Sequence, residues 1–341
     1  MTENEQTNFW KDFRRMLPGL LVSVVAIAIL LYFVDLSEVV EALKKTNYSL
    51  VPVAAAVLIL SMLARSVAWR AILQDKVSVG KSFFTISEGY LLNTVLPFRL
   101  GELGRAMLLS TTSKAGLTFW EVLATILVER IFDLALMATL LITTVLFVSG
   151  AEWALQAALS VGVLVVIGFV VLYLVTRNRE WALGLFEKLF GRWPKLVEFG
   201  RDKLESILDG FSALTDISRF LRVLLWMLIS WSLNVSWYFI LLLAFVPKAR
   251  FLWAAFTVGM TGLGVSVPSS PGSLGVLEGS IVFGLTRFPV DESTAFAYAI
   301  LSHAIYIAVT VTLGIFGLTR DGQSLRQVYI NLRNRKDQPP Q

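Results

Sequence analysis

The chain has no cysteine, which excludes a disulfide framework and any thiolate metal centre. It has a single histidine, His303, too few for an imidazole-built zinc or haem site. Only 16% of its residues are charged, against 56% hydrophobic. A soluble domain carries about 25% charged residues, so a solvated globule is excluded as well. The glycine-rich phosphate loop of nucleotide-binding proteins, with its trailing lysine, is also missing. No cofactor and no metal are therefore expected. The net charge of +5 points to loops beside anionic lipid rather than to nucleic acid, and no nucleic-acid partner is expected.

What is there is apolar sequence in long runs, with a mean hydropathy of +0.69. A spanning helix needs about 20 mostly apolar residues. Six stretches meet that need: Leu17–Val34, Leu50–Leu73, Thr118–Ser149, Leu155–Thr176, Val223–Val246 and Thr294–Thr319. The first lacks a small-residue cleavage site and reads as a retained anchor. Two further apolar regions, 83–110 and 251–285, contain "LPFRLGELGR" and "VSVPSSPGSLGVLEG". Their prolines and glycines break helices, and broken backbone at membrane depth is tolerated only inside protein or beside a cavity. The expected fold is therefore all-α and polytopic, with about six full spans and two broken or re-entrant helical hairpins. Tryptophans 10, 69, 120, 153 and 253 lie near span ends and read as interface anchors, and Arg65 reads as a snorkelling residue.

Loop charges set an orientation. Lys11, Arg14 and Arg15 precede the first span; Arg70, Lys76 and Lys81 follow the second; 177–222 is basic; and Arg320, Arg326, Arg333, Arg335 and Lys336 follow the last. The positive-inside rule places both termini in the cytoplasm. The implied layout is a cytoplasmic N-terminus at 1–15, a transmembrane domain at 16–320 and a cytoplasmic tail at 321–341. Of the tail, "RNRKDQPPQ" is expected to be disordered. Within the domain, 177–222 is a cytoplasmic segment with an amphipathic helix around 195–216.

Pro97, Gly101, Leu103 and Gly104 form P-x-x-x-G-x-L-G, and Pro268, Gly272, Leu274 and Gly275 repeat it. One motif follows a span running inward, the other a span running outward. The halves, about 50–150 and 223–320, thus read as an inverted repeat whose broken helices meet near the midplane, a common site of substrate binding in transporters. Two ordinary loops of similar composition are the alternative.

Three constellations carry chemistry. Arg99, Glu102 and Arg105 are spaced i, i+3, i+6 and leave a net positive face suited to phosphate oxygens. The alternative is a loop touching lipid headgroups without selectivity. Glu129, Arg130 and Asp133 lie within an apolar helix, where ionisable groups are costly and face a cavity or a partner. Glu129 and Asp133 share a face, and an arginine of the first motif is the natural partner; a purely structural ion pair is the alternative. Ser269, Ser270, Gly272 and Glu278 could cradle a phosphate or sugar hydroxyl, or simply form a tight turn. His303 and Tyr306, i and i+3, either line the cavity or pack.

Together these motifs resemble the transmembrane region of lysylphosphatidylglycerol synthases, the flippase-like domain family. The pattern is carried by Asn93, Pro97, Arg99, Gly101, Glu102 and Arg105, then Glu129, Arg130 and Asp133, then Pro268, Pro271, Gly272, Gly275 and Glu278. It departs at Ser273, where the family has a second glycine. The resemblance covers roughly 15–320 and implies movement of a lipid or lipid-linked substrate. Synthase members add a soluble aminoacyl-transferase domain, and the short stretch after the last span suggests a stand-alone form.

The expected function is translocation of an anionic lipid or lipid-linked substrate, without catalysis. The expected location is the cytoplasmic (inner) membrane of a bacterium or archaeon. The expected substrate-binding residues are Asn93, Arg99, Glu102, Arg105, Glu129, Arg130, Asp133, Ser269, Ser270, Gly272, Glu278, His303 and Tyr306. Membrane lipids are the expected partners, with self-association or a partner membrane enzyme also compatible. The competing readings are an intramembrane enzyme acting on a lipid phosphate and a scaffold for such an enzyme.

Overall fold

The computed structural model describes residues 18, 20–96, 100–150, 152–266 and 270–337. Among them there is no strand. The helices are α1 (Leu20–Phe33), α2 (Leu36–Lys45), α3 (Val51–Ile72), α4 (Val79–Val95), α5 (Gly101–Thr112), α6 (Phe119–Val145) and α7 (Glu152–Arg177). There follow α8 (Arg179–Phe190), α9 (Pro194–Phe211), α10 (Ile217–Phe245), α11 (Phe251–Gly264), α12 (Val276–Leu285), α13 (Glu292–Arg320) and α14 (Leu325–Asp337). The starts are written in short polar side chains. Ser78, Thr118, Asp216 and Asp291 each accept a hydrogen bond from the backbone N–H three residues on, which satisfies a donor the helix leaves free.

All six expected spans fall on helices. α3, α7, α10 and α13 are long and apolar enough to cross a bilayer. α6 is equally long, at 27 residues, but carries Glu121, Glu129, Arg130 and Asp133. α1 bends by 84° into α2 at the Val34–Asp35 break. Much of α7 is unpaired with the rest of the protein: Val163, Leu164, Val166, Ile167, Val170 and Val171 are all exposed. An apolar band of that kind suits lipid rather than water.

α13 is the ruler of the fold. Its 29 residues rise about 43 Å at 1.5 Å each, more than the hydrocarbon thickness, and Tyr306 is its midpoint. At one end Ser293 Oγ donates to Glu38 of α2 at 2.9 Å. At the other, Lys81 pairs with Asp321 and also donates to Thr112 at 2.5 Å. Lys81 begins α4 and Thr112 ends α5, so α4 and α5 form a hairpin that enters and leaves on one face. α11 and α12 form the second hairpin: Gly264 lies against Ser280, and Gly284 against Thr257. It is entered after α10 and left into the Ser293 end of α13, the opposite face. The tips meet in the middle. The end of α4 packs on the Pro271–Ser273 turn, where a Cβ at Gly272 would lie 3.8 Å from the Thr94 carbonyl. There the Tyr90 and Tyr306 rings are 6.2 Å apart.

This is the geometry expected of an inverted repeat. α3 and α10, each preceding a hairpin, pack extensively on one another. α13, which ends the second half, packs on the first hairpin; α6, which ends the corresponding part of the first half, packs on the second. Both crossings are tightened by glycine. A Cβ at Gly314 or Gly317 would strike Leu91 or Glu88, and one at Gly259 or Gly262 would strike Leu141 or Met137. Small residues at such crossings let backbones approach where lipid offers no hydrophobic drive for association. The two prolines that open the motifs, Pro97 and Pro268, lie outside the described residues.

The expected cytoplasmic segment forms α8 and α9, held by Arg179–Asp209 and Arg201–Glu187, both at 2.6 Å. They dock on the Lys81 face, where Gln74 donates to the Asp209 carbonyl at 3.1 Å. Two expectations are corrected. Arg333–Asp337, taken with the disordered tail, continue α14, because its Val328 and Leu332 pack against the apolar side of α5. Trp69, taken as an interface anchor, is wholly buried and donates to Thr125 Oγ1 at 3.2 Å. Trp120 and Trp153 are exposed near helix ends, as expected. Trp10 lies outside the described residues.

Candidate functional site

The first hairpin carries its charge inward. Asn93 Oδ1 accepts from the Gly101 N–H at 2.7 Å, so a residue in the last turn of α4 caps the start of α5. Gly101 is in contact with Asn93 and with the Gly89 carbonyl, which leaves no room for a side chain there. One turn further on, Arg105 is 2% exposed and points at α6.

Five charged side chains meet at that point. Arg105 Nη2 donates to Glu129 Oε2 at 2.7 Å. Arg65 Nη1 donates to Glu129 Oε1 at 2.8 Å and to Asp133 Oδ2 at 2.9 Å, and its Nη2 donates to Asp133 Oδ1 at 2.8 Å. Arg130 lies 3.2 Å from each carboxylate. Trp231 of α10 adds an indole N–H to Asp133 Oδ1 at 3.0 Å. Three guanidinium groups against two carboxylates leave one positive charge in excess. Arg105 also sits over the Trp69 ring, 4.1 Å from its centroid. Its Nε and Nη1 are buried with no hydrogen-bond partner among the described residues, and so is the Nε of Arg130. A buried donor left unmade costs about 1–3 kcal/mol, more when charged, so these atoms favour an acceptor.

Arg65 was not legible as part of this cluster. Read as snorkelling to the interface, it is instead the fork that ties both carboxylates. Its place two turns inside the end of α3 was the signal, because a guanidinium there can find a partner at depth. Trp231 carried no signal beyond being a tryptophan inside a span. Glu102 is half-buried in the first turn of α5, while Arg105 turns to Glu129. Arg99 lies outside the described residues.

The second hairpin holds a smaller polar centre. Glu278 Oε2 accepts from the Gly275 N–H at 2.7 Å, capping its own helix, and its Oε1 lies 2.6 Å from His303 Nδ1. In the first half the hairpin supplies a guanidinium and the long helix a carboxylate; here the hairpin supplies the carboxylate and the long helix an imidazole. His303 is thus tied to Glu278 rather than to Tyr306, which packs near Tyr90. Ser270 is bonded to Ser23 of α1 at 2.8 Å between hydroxyls. Gly272 has φ +69° and Ser273 φ +58°. The departure from the family's second glycine therefore places serine in a left-handed conformation that glycine occupies without strain. Ser269 lies outside the described residues.

The structure thus brings Arg105, Glu129, Arg130 and Asp133 together, and Glu278 with His303. Asn93, Ser270 and Gly272 shape the two tips around them. A further buried carboxylate, Glu88 of α4, escaped the sequence reading because nothing marks it but its position in an apolar helix.

The sequence model of the family described as "Lysylphosphatidylglycerol synthase TM region" matches residues 16–314. Among curated proteins, the chain is 28% identical to "Glycosyltransferase AglD" of Haloferax volcanii over 87% of its own length. It spans about half, 53%, of that relative. It is 23% identical to a "UPF0104 membrane protein" of Methanothermobacter thermautotrophicus, over 90% of this chain and 96% of the relative. A third relative, "UPF0104 membrane protein MJ1078" of Methanocaldococcus jannaschii, is 22% identical over 65% of this chain and 91% of its own. No solved structure matches.

Proposed function

The chain belongs to the lysylphosphatidylglycerol synthase transmembrane-region family, and from that premise we propose that it moves an anionic lipid or lipid-linked headgroup across the membrane. The observation that carries this reading is the buried charge cluster of α3, α5 and α6. It holds one excess positive charge, and Arg105 turns two unpartnered donors into the protein. A phosphate entering there would take up those donors and compete with Glu129 and Asp133 for the guanidinium forks. The carboxylates offset the arginines while the site is empty and can be exchanged for the headgroup, whose acyl chains stay in lipid. The meeting of two hairpins from opposite faces gives such a headgroup a path through the midplane. On this reading the Lys81 face is cytoplasmic, as the basic loops gathered there suggest, and the membrane is the inner one.

A second reading has one support. The relative from Haloferax carries the name of a glycosyltransferase, which keeps group transfer on a lipid-linked sugar in play. One experiment separates the two. The purified protein is placed in liposomes with a labelled anionic lipid, and both the sidedness and the mass of the lipid are measured. Translocation predicts changed sidedness at unchanged mass. A changed mass selects the enzyme, and neither change removes both readings in favour of a scaffold.

A further inference from the structure

Glu88 is wholly buried, and neither of its carboxyl oxygens has a hydrogen-bond partner among the described residues. It lies in α4 against Gly317, whose lack of a side chain gives the carboxyl its room. A bare carboxylate in such surroundings is among the costliest groups a protein can bury, and the remedy is a proton.

Among the described residues no cation is paired with it. On its own helix, Lys81 is committed to Asp321 and Thr112. On α13, Arg320 lies over the Phe84 ring, 4.9 Å from its centroid, and Asp321 takes Lys81. On α5, Arg105 is bound to Glu129. On α3, Arg65 is bound to Glu129 and Asp133, and Arg70 to the Val77 carbonyl and Asp75. The path from Glu88 to the Lys81 face is polar. Lys81, Thr85 and Glu88 are spaced i, i+4, i+7, one stripe about 10 Å long. The Thr85 hydroxyl is buried and has no partner among the described residues, nor has that of Ser82 beside it. Elsewhere in α4, Ser87 and Thr94 bond back to the carbonyls four residues before them, at 2.9 Å each. Ser82 and Thr85 thus leave the habit of their own helix on the side that leads to Glu88.

We propose that Glu88 is a proton-binding site, occupied while α4 lies against α13 and emptied through the Thr85–Lys81 stripe when that seam opens. On release the carboxyl O–H bond breaks, the carboxylate keeps the electron pair, and the proton passes to water at the Lys81 face. Joined to the translocation reading above, on which this last step rests, the site makes proton movement the partner of headgroup movement.

The site itself is tested without lipid transport. Infrared spectra of the wild-type protein in detergent at pH 6 should show a protonated buried carboxyl, assigned to Glu88 because Glu129 and Asp133 are held by guanidinium groups and Glu278 by the His303 imidazole. Glu88→Gln should abolish that band. The sign of the stability effect follows. The folded protein holds the proton and the unfolded chain releases it above pH about 4.3, so wild-type stability falls as pH rises beyond that value. Glu88→Gln lacks this slope, and its unfolding midpoint should draw ahead of wild type between pH 5 and pH 8. No protonated carboxyl band in wild type at pH 6 would overturn the proposal even if the variant fails to fold; so would parallel pH profiles for the two proteins. Coupling is read in liposomes with an imposed pH gradient. The gradient should change the rate of lipid movement in wild type and leave Glu88→Gln indifferent; a rate that ignores the gradient in wild type overturns the coupling. Lipid that never moves in wild type counts against translocation and leaves the infrared result standing.

Discussion

Arg105 and Glu129 are the pair on which most rests, since each is 2% exposed or less. Removing Glu129 leaves Arg105 charged and without its ion-pair partner, at a cost of about 3–5 kcal/mol. Glu129→Ala should therefore lower the unfolding midpoint in detergent severely. Adding Arg105→Gln should restore part of the loss, because the two residues form one unit and their effects do not sum. Additive losses in that cycle would show that the two do not interact. Ser273 makes a gentler case. A left-handed conformation costs a non-glycine residue about 1–2 kcal/mol, and glycine gives back about 0.4–1 kcal/mol through the freedom of the unfolded chain. Ser273→Gly should raise stability by up to about 1 kcal/mol, read from the same unfolding curves; a loss would mean that the serine side chain contributes more than the strain removes. At this scale the sequence told a good deal. Charges inside an apolar helix announced Glu129 and Asp133, and the motif announced Arg105. It hid Arg65, whose long side chain is compatible with both the interface and the interior, and Glu88, whose burial depends on the neighbouring Gly317.

Between elements, the crossings of α13 with α4 and of α1 with the second hairpin decide whether the tips stay together. Gly317→Leu would drive a side chain into Glu88 and force the helices apart. Overpacking of this kind costs about 1–3 kcal/mol, and it should also expose α4 to proteolysis and hydrogen exchange. Unchanged exchange in α4 would refute that close crossing. The absence of native cysteine allows a direct check of the other contact. Ser23 and Ser270 are hydrogen-bonded across 247 residues of sequence. Ser23→Cys combined with Ser270→Cys should cross-link under mild oxidant, and failure to do so would place α1 elsewhere. The helices and their starts could be read directly, because caps and apolar length are local. That each broken region is a hairpin could be inferred from proline and glycine. The 84° turn of α1 into α2 and the extension of α14 could not, since both are set by contacts with distant segments.

Across the whole molecule, two hairpins enter from opposite faces and each pairs with a long helix, Arg105 with Glu129 in the first and Glu278 with His303 in the second. The eight-residue motif pointed to the two hairpins and the charges in α6 to an arginine partner from the first, while the Glu278–His303 pair could not be read. The central claim is that the charge cluster selects an anionic headgroup and passes it across. It is tested most directly in liposomes carrying fluorescent phosphatidylglycerol and phosphatidylcholine, with wild type compared against Arg105→Lys and against the double variant Arg105→Gln, Glu129→Gln. The double variant removes one charge of each sign and leaves Arg65 and Arg130 on Asp133. Hydrogen bonds to charged groups contribute about 1.5–3 kcal/mol each, which corresponds to roughly ten- to a hundredfold. Movement of the anionic lipid should fall by that factor in the double variant and by less in Arg105→Lys, with the zwitterionic lipid little changed. Wild-type rates and unchanged lipid preference in a folded double variant would contradict the account.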